Sequence, residues 1–371
     1  MNREHLPELK IAVIDNGINR ELLEFLLPHK KETLACWQIF REGCVPQFLE
    51  PEGERESHGT LCTALLLEFL EKNNVTDFQI ASVSILNQDR NQELGEFCTA
   101  LEWCVTQKMD IILMSIGVKI PVYAKRLLPF IEKAKAQKIL LLAAASNDFE
   151  ITYPACYKDV IGIKKGTGYG IKAIRDIKDG IDLEGNFEVS NVIQQYSIFL
   201  EETYGVTNSF VLPFVAADIC ALLRQNGEMN AKDVVNCYPK KKGWDNQTVI
   251  PRIESAVLKI AVVYQGKARQ KMELVLEDII LGFERNGYSC ICVADWEQKI
   301  CFEKSIFPLS SDKIHEEPGY YGLYFRNNSL VIFFVEKYSA DLGFINEMDQ
   351  VIVLDGNEGE NLVDAVIHKI L

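Results

Sequence analysis

Three side chains in this sequence are of the types that enzymes combine to attack a carbonyl group. Asp15 follows a short apolar run, His58 precedes a second, and Ser209 ends a polar stretch directly before a third. A serine hydroxyl becomes a strong nucleophile when a histidine takes its proton and a carboxylate orients that histidine. The residue types therefore predict acyl-transfer chemistry, provided that the fold brings the three side chains together.

Each of these residues also has a simpler structural interpretation. Asp15 begins an Asp-Asn-Gly sequence that is typical of a turn, and a serine before a helix is most often only its N-cap. Cys62, on the helix predicted after His58, fits a thiol of the apolar core. Sensitivity of the protein to mercurials would follow from the presence of this thiol and would not indicate a catalytic role. The catalytic interpretation therefore depends on the combination of residues.

The elements that must position these residues follow from the apolar pattern. Short β-branched runs predict buried parallel strands, and longer runs predict helices. The strands are expected over residues 9–14, 80–86, 110–117, 139–145 and 159–163, and the helices over 61–70, 94–107 and 122–137. Their alternation predicts an α/β fold with a largely parallel sheet that is covered on both faces. Asp15 then lies at the carboxyl edge of the sheet, where such folds build their sites.

In the second half of the chain the apolar pattern is weaker at first, and a second domain then follows. Residues 166–202 predict short strands and loops, and the apolar run after Ser209 predicts a helix, started by Pro213, that extends to about residue 224. A smaller α/β domain follows from strands over 258–264, 290–294, 330–335 and 350–354 and helices over 271–286 and 362–370. We therefore divide the chain into residues 1–250 and 251–371.

Composition narrows the class of protein. The 371 residues carry a net charge of −14, which argues against binding to nucleic acid or to an anionic membrane. No apolar run is long enough to span a membrane, and the N-terminus lacks the apolar stretch of a signal peptide. The eleven cysteines show no framework spacing and predict reduced thiols. Without a zinc-type cysteine pattern or a carboxylate loop for calcium, we expect no metal and no cofactor.

The order of Asp15, His58, Asn147 and Ser209 resembles that of the subtilisin-like serine peptidases (subtilases). The sequences that carry the resemblance are Ile14-Asp15-Asn16-Gly17-Ile18, His58-Gly59-Thr60, Met114-Ser115-Ile116-Gly117, Ala143-Ala144-Ala145-Ser146-Asn147, Tyr153-Pro154-Ala155, and Ser209 with Pro213. Together they cover roughly residues 8–228. The resemblance implies a subtilisin-like three-layer α/β fold with a mostly parallel central sheet, to which the C-terminal residues add a smaller, Rossmann-like α/β domain.

The resemblance also implies a role for each site residue. Ser209 would attack the substrate, His58 would carry its proton, and Asp15 would hold the imidazole. The side-chain amide of Asn147 and the backbone N–H of Ser209 would stabilise the oxyanion. The residues that would bind substrate are Ser115, Ile116, Gly117, Ala144, Ala145, Ser146 and Thr152.

Four residues depart from the pattern of the family. Thr207-Asn208 stands before Ser209 where the family usually has Gly-Thr, and a missing glycine changes how closely substrate can approach. Ser146 and Thr152 stand where glycines usually line the primary specificity pocket. The added side chains predict a shallow pocket and a small residue, Gly, Ala or Ser, on the acyl side of the cleaved bond.

The sequence therefore predicts a serine endopeptidase that works through an acyl-enzyme. No pro-segment precedes Asp15, so we expect a cytoplasmic enzyme that acts on peptide or protein substrates, such as a specific precursor or leader peptide. The alternative is a catalytically weak subtilase-like protein that binds peptides or serves as a scaffold. For the C-terminal domain we expect a regulatory or substrate-docking role, with a partner protein or through self-association.

Overall fold

The structure is a computed structural model whose described residues form two compact units. The described residues are 8–28, 34–40, 43–46, 57–85, 90–148, 150–174, 179–241, 257–264, 269–294, 304–308, 328–336, 348–354 and 362–370. The first unit takes its members from residues 1–118, 126–147 and 154–242, and the second from 119–125, 148–153 and 243–371. The domain boundary predicted near residue 250 lies outside the described residues.

The first unit is built on a nine-stranded sheet. Its strands in chain order are β1 (Leu9–Asp15), β2 (Leu34–Phe40), β3 (Gly43–Pro46), β4 (Phe78–Ser84), β5 (Ile111–Met114), β6 (Leu140–Ala144), β7 (Ile161–Lys165), β8 (Gly170–Ala173) and β9 (Leu183–Asn186). They lie in the order β3-β2-β4-β1-β5-β6-β7-β9-β8. Neighbours are parallel except in the two edge pairs, β2–β3 and β8–β9. The mostly parallel sheet that the sequence predicts is confirmed.

Helices cover both faces of this sheet, as three layers require. The helices up to residue 236 are α1 (Arg20–Leu26), α2 (His58–Lys72), α3 (Arg90–Thr106), α4 (Pro121–Ala124), α5 (Leu128–Ala136), α6 (Asn191–Leu200), α7 (Asn208–Asn226) and α8 (Ala231–Asn236). Residues of α1, α2, α6 and α7 share one apolar cluster with the sheet. Helices α3 and α5 contact each other and the sheet, and contribute nothing to that cluster. Helix α4 belongs to the second unit.

Helix α2 is buried along most of its length, so its one buried carboxylate needs partners. Glu68 accepts hydrogen bonds from Ser190 Oγ at 2.5 Å and from the backbone N–H of Asn191 at 2.8 Å, and it pairs with Lys72 at 2.8 Å. Burial raises the pKa of Glu68, but these partners lower it by more. The carboxylate therefore binds the start of α6 and fixes α2 against its neighbour.

The strand register brings the predicted site segments to one edge. Asp15 ends β1 and lies opposite Ser84, and Ile14 lies opposite Met114 at the end of β5. Met114 in turn lies opposite Ala143 near the end of β6. Because these strands are parallel, the residues that follow each of them emerge at the same carboxyl edge.

Two local predictions differ from the structure. The segment over 166–202, predicted as strands and loops, also contains α6, which begins where Ser190 Oγ accepts a hydrogen bond from the N–H of Ile193. The helix predicted over 122–137 is interrupted by a 3-10 turn, Lys125–Leu127, before α5. Pro129 favours this break because it has no N–H to donate to the Lys125 carbonyl, whereas it fits the first turn of α5.

Pro213 lies inside α7 rather than at its start. The helix begins at Asn208, one turn before the proline, so Ser209 lies at its N-terminus as predicted, whereas Pro213 does not start it. The apolar residues Phe210, Val211 and Leu212 are all buried, so packing holds the first turn in place despite the proline. The polar stretch after residue 226 likewise contains α8, which Asn230 caps.

The second unit contains a five-stranded parallel sheet. Its elements are β10 (Leu258–Tyr264), α9 (Arg269–Arg285), β11 (Cys290–Ala294), β12 (Ile306–Pro308), β13 (Leu330–Glu336), β14 (Gln350–Leu354) and α10 (Leu362–Ile370). The strands lie in the order β12-β11-β13-β10-β14, and α9 packs on α10. The second α/β sheet is confirmed, although β13 separates β10 from β11, which dinucleotide-binding sheets place side by side.

No helix in the described parts of either unit is both long enough and apolar enough to cross a membrane.

The start of α2 touches the turn that follows β1, and a glycine permits this contact. A Cβ atom on Gly59 would lie 2.4 Å from the carbonyl oxygen of Gly17. Gly17 has a φ of 93°, a conformation that side chains disfavour. The backbone of the turn after β1 is therefore in direct contact with the backbone of the first turn of α2.

We predict that Gly59→Ala lowers the free energy of unfolding by about 1–3 kcal/mol, because the methyl group must push two backbones apart. Gly95→Ala is the matched control: it lies within α3, and its added Cβ meets nothing within 4 Å. That variant should be stabilised by about 0.5–1 kcal/mol through helix propensity. Urea unfolding of both variants and the wild type measures the difference. A Gly59→Ala protein as stable as the wild type would contradict the close contact.

Candidate active site

The centre of the candidate site is a pair formed by Asp15 and His58. Asp15 is the last residue of β1 and is 2% exposed. Its Oδ1 and Oδ2 lie 3.0 Å and 2.9 Å from Nδ1 of His58, the first residue of α2. An imidazole whose Nδ1–H donates to a carboxylate is fixed in the tautomer that leaves Nε2 free to take a proton. The His58 side chain is 37% exposed, so a substrate can reach the ring.

Backbone and side-chain hydrogen bonds hold the two halves of this pair in place. The Asn16 N–H donates to Asp15 Oδ1 at 2.8 Å, and Asn16 Oδ1 accepts from the Gly59 N–H at 2.8 Å. Ser57, the N-cap of α2, donates to the Gly17 carbonyl at 3.2 Å. The turn after β1 is thereby joined to the first turn of α2. The separation of Asp15 from His58 is set by the fold rather than by side-chain flexibility.

The charges around His58 favour its protonated form. Burial lowers the pKa of His58, but the Cys62 sulfur and the Asp15 carboxylate raise it by more, so the net pKa lies above the ordinary value. Burial raises the pKa of the Cys62 thiol. The Asp15 carboxylate raises the pKa of His58 both through its hydrogen bond to the ring and through its charge. Such a pair stabilises an imidazolium when the ring takes up a proton.

Cys62 joins the histidine helix to the serine helix. Its sulfur is 3.7 Å from His58 Nδ1 and 3.7 Å from the carbonyl oxygen of Ser209. That carbonyl lacks a helical donor because Pro213, four positions later, has no N–H. The thiol supplies the missing hydrogen bond, and Ser115 Oγ donates to the sulfur at 3.8 Å. One buried side chain therefore contacts three parts of the candidate site.

Ser209 is the second residue of α7 and is buried. Its neighbour Phe210 stacks on the ring of His58, with centroids 5.6 Å apart. Among the described residues, no hydrogen bond joins the Ser209 hydroxyl to His58. The structure thus brings Ser209 into the cluster around His58 without the bond between them being formed. Its backbone N–H lies in the first turn of the helix, where such groups have no helical acceptor.

Asn147 lies beyond the end of β6 and is exposed. Its Oδ1 accepts a hydrogen bond from the backbone N–H of Asn208 at 3.0 Å. This contact links Asn147 to the residue directly before Ser209. The NH₂ group, bonded to the same carbon as this oxygen, is the donor end of the amide.

The segments expected to bind substrate lie mostly at the same sheet edge. Ser115, Ile116 and Gly117 follow β5, and Ala144, Ala145 and Ser146 lie at or directly after the end of the neighbouring β6. Thr152 belongs to the second unit, where it is buried and its hydroxyl donates to the Glu150 carbonyl at 3.3 Å.

The same cluster has the composition of a metal site. Asp15, His58 and Cys62 offer ligand atoms that all lie within 4.8 Å of one another. These atoms already contact each other, and a metal ion would have to replace the hydrogen bond between His58 and Asp15. The geometry therefore fits an acid–base pair better than a metal centre.

Several residues of the site were not assigned a role from the sequence. Asn16 joins β1 to α2, Phe210 stacks on His58, and Asn208 contacts the segment after β6. All three adjoin a predicted catalytic residue; Asn16 also belongs to the motif around Asp15, and Asn208 to the departure from Gly-Thr before Ser209. Their contacts join segments that lie far apart in the chain, and spacing alone does not reveal such contacts.

Comparisons with known proteins extend the resemblance seen in the sequence. The Subtilase family matches residues 7–272. The minor extracellular protease Epr of Bacillus subtilis is 27% identical over 229 residues, which are 58% of this chain and 32% of that protein. An intracellular serine protease of Paenibacillus polymyxa is 25% identical over 172 residues, 42% of this chain and 48% of that protein. The matched region spans less than half the length of either relative.

The solved structures that match this chain have low sequence identity and TM-scores below 0.5. A lanthipeptide protease has a TM-score of 0.42 and 16% identity, over 62% of this chain and 78% of that chain. An epidermin leader peptide processing serine protease from Staphylococcus aureus has a TM-score of 0.42 and 14% identity, over 62% of this chain and 69% of that chain. The match over residues 7–272 covers more than half of the sequence, and this chain belongs to the subtilase family.

Proposed function

We propose that this chain is a serine endopeptidase in which Asp15, His58 and Ser209 form the catalytic triad. The observation that carries the proposal is the pair of short contacts between the Asp15 carboxylate and His58 Nδ1, 3.0 Å and 2.9 Å, in the same cluster as Ser209. His58 Nε2 takes the hydroxyl proton as Ser209 Oγ attacks the peptide carbonyl. The proton then passes to the leaving amine, and water hydrolyses the resulting acyl-enzyme.

The missing hydrogen bond between Ser209 and His58 is compatible with this proposal. A serine side chain needs only a rotation about one bond to redirect its hydroxyl. Catalytic hydrogen bonds are often long or poorly aligned before substrate binds and tighten in the complex. The stacking of Phe210 on His58 supports the proposal because it places the backbone of Ser209 beside the ring.

For the oxyanion, we propose the side-chain NH₂ of Asn147 and the backbone N–H of Ser209. The contact between Asn147 Oδ1 and the Asn208 N–H supports this assignment because it fixes the orientation of the amide, and so the direction in which its NH₂ group points. Loss of one such donor typically lowers kcat by about 10²–10³-fold.

For the substrate, we propose a peptide or protein with a small residue on the acyl side of the cleaved bond. Ser146 supports this preference because its side chain is half-buried at the end of the binding segment, where a glycine would leave space. A narrow preference fits an enzyme that cuts a specific precursor or leader peptide. We also propose a cytoplasmic location, supported by the buried cysteines, which are free thiols wherever the structure describes them.

The second candidate function is peptide binding without efficient catalysis. Two observations favour it: Thr207-Asn208 replaces the usual Gly-Thr, and the Ser209 hydroxyl is not bonded to His58 among the described residues. The two functions differ in whether Ser209 is a nucleophile, which a covalent probe can test.

We predict that a fluorophosphonate probe labels the wild-type protein and fails to label Ser209→Ala. Asp15→Asn should react roughly 10⁴-fold more slowly, because its imidazole loses the orienting carboxylate. Thr106→Ala is the control: its exposed hydroxyl donates to the Glu102 carbonyl within α3, and it should label like the wild type. Gel fluorescence and intact mass measure labelling. A folded wild type that stays unlabelled would favour the peptide-binding function.

A peptide library that varies the acyl-side residue tests the proposed specificity. We expect the wild type to cleave best after Gly, Ala or Ser. Ser146→Gly should raise kcat/KM for larger residues by about tenfold or more, since a few atoms in a pocket decide this much discrimination. Mass spectrometry of the products gives the profile. A wild-type profile dominated by Phe, Leu or Arg would overturn the small-residue preference.

A further inference from the structure

Asn208 is the residue that departs from the family pattern directly before Ser209, and its side chain is fully engaged. Its Nδ2 donates to the carbonyl oxygens of Ser146 at 2.7 Å and Ala145 at 3.2 Å. Its Oδ1 accepts from the backbone N–H of Lys165, the last residue of β7, at 2.8 Å. The orientation of this amide is unambiguous, because carbonyls can only accept and the Lys165 N–H can only donate.

The backbone of Asn208 adds a fourth contact to the same region. Its N–H donates to Asn147 Oδ1 at 3.0 Å. We call this set of contacts the Asn208 clamp; it consists of Asn208, Ala145, Ser146, Asn147 and Lys165. The clamp binds three consecutive residues after β6, and the end of β7, to the first residue of α7.

The position of the clamp relates it to the chemistry proposed above. Ser209, the proposed nucleophile, is the next residue on α7, and Asn147, the proposed oxyanion donor, is one of the clamped residues. The segment over 144–146 carries the proposed acyl-side binding residues. A shift of the segment after β6 relative to α7 would change the separation between nucleophile, oxyanion donor and substrate. Misplacement by about 1 Å can cost about 100-fold in rate.

We propose that Asn208 is a positioning residue that sets the oxyanion site by holding Ala145, Ser146 and Asn147 against the start of α7. This inference rests on the proposed function. The inference explains the departure from Gly-Thr-Ser, because the Asn208 side chain fixes residues 145–147 to α7, the helix that carries Ser209, by hydrogen bonds. Asn208 acts through Asn147 and does not contact the reacting atoms itself.

Kinetics of Asn208→Ala test the proposal. We expect kcat to fall about 10- to 100-fold with KM within about threefold of the wild type, because the loss lies in transition-state geometry rather than in substrate binding. The double variant Asn147→Ala/Asn208→Ala should be no slower than Asn147→Ala alone within about threefold, since one residue acts through the other. The proposal would be overturned if the effects of the two substitutions on kcat multiplied in the double variant, or if Asn208→Ala left kcat unchanged.

Asn230→Ala is the matched control. Asn230 is also an asparagine at the start of a helix, and its Oδ1 accepts from the Asp233 N–H at 3.0 Å at α8, outside the candidate site. A purely structural role for Asn208 predicts that both variants lower the urea midpoint and leave kcat unchanged. The positioning role predicts that only Asn208→Ala lowers kcat.

Asn208→Asp separates the two ends of the side chain. It keeps an acceptor for Lys165 but places a carboxylate opposite the carbonyl oxygens of Ala145 and Ser146. We expect kcat to fall at least as far as in Asn208→Ala, while the Lys165 amide stays protected from hydrogen exchange. A kcat equal to that of the wild type would show that the contacts to Ala145 and Ser146 are unimportant.

Hydrogen–deuterium exchange distinguishes failure of this inference from failure of the proposed function. In Asn208→Ala, the amide of Lys165 should exchange at least about tenfold faster, as expected for a backbone group that loses its acceptor. Peptides covering residues 231–236 should be unaffected. If the wild type neither hydrolyses peptides nor reacts with a fluorophosphonate, the proposed function fails, and unchanged exchange at Lys165 would still overturn the clamp on its own.

Discussion

The contact between Asp15 and His58 is the interaction on which the rest of the candidate site depends. A carboxylate that is 2% exposed is costly unless a partner and hydrogen bonds compensate for its lost hydration. Here the partners are the imidazole Nδ1 and the backbone N–H of Asn16. Both oxygens therefore have defined neighbours, and the imidazole ring is held in one orientation.

The fold keeps this contact short by bringing the backbones of β1 and α2 together. Gly59 allows the approach, and Asn16 and Ser57 join the two segments by hydrogen bonds. Helix α2 is in turn fixed to α6 through Glu68 and packs on α7, which carries Ser209. The apolar core thus limits how far α2 and α7 can move relative to the end of β1, where Asp15 lies.

The proline inside α7 shapes the region between the two helices. It leaves the carbonyl of Ser209 without a helical donor, and the Cys62 thiol fills that place. The carbonyl therefore has a hydrogen-bond partner although Pro213, in the second turn, has no N–H to offer it. The Asn208 side chain holds the other side of the same helix start. The first turn of α7 is fixed from two directions, while the Ser209 hydroxyl stays unbonded to His58 among the described residues.

Hydrophobic patterning was sufficient to predict most of the sheet and its carboxyl edge. Strands such as 9–14 and 139–145 are buried on both faces, so continuous apolar runs identify them, and parallel topology then brings Asp15 and Asn147 to one edge. The order of residue types led to the triad that we propose. Patterning failed where single residues decide the structure: the Ser190 hydroxyl caps α6, and the Pro129 ring favours a break before α5.

The contacts that hold the site could not be predicted, because each joins residues distant in sequence. In the sequence, Asn208 is only a departure from the family motif. The structure shows that its side chain donates hydrogen bonds to the carbonyls of Ala145 and Ser146. Thr152, assigned to the binding site by resemblance, belongs to the second unit. Sequence spacing identifies which residue types are present, whereas their partners follow only from the packed structure.

Titration of the His58 ring by ¹⁵N NMR, with the signal assigned through His58→Gln, tests the central interaction most directly. We predict that the pKa of His58 in the wild type lies above the ordinary value of about 6.5. Asp15→Asn should lower that pKa by at least about one pH unit. A pKa at or below the ordinary value that does not respond to Asp15→Asn would contradict this prediction.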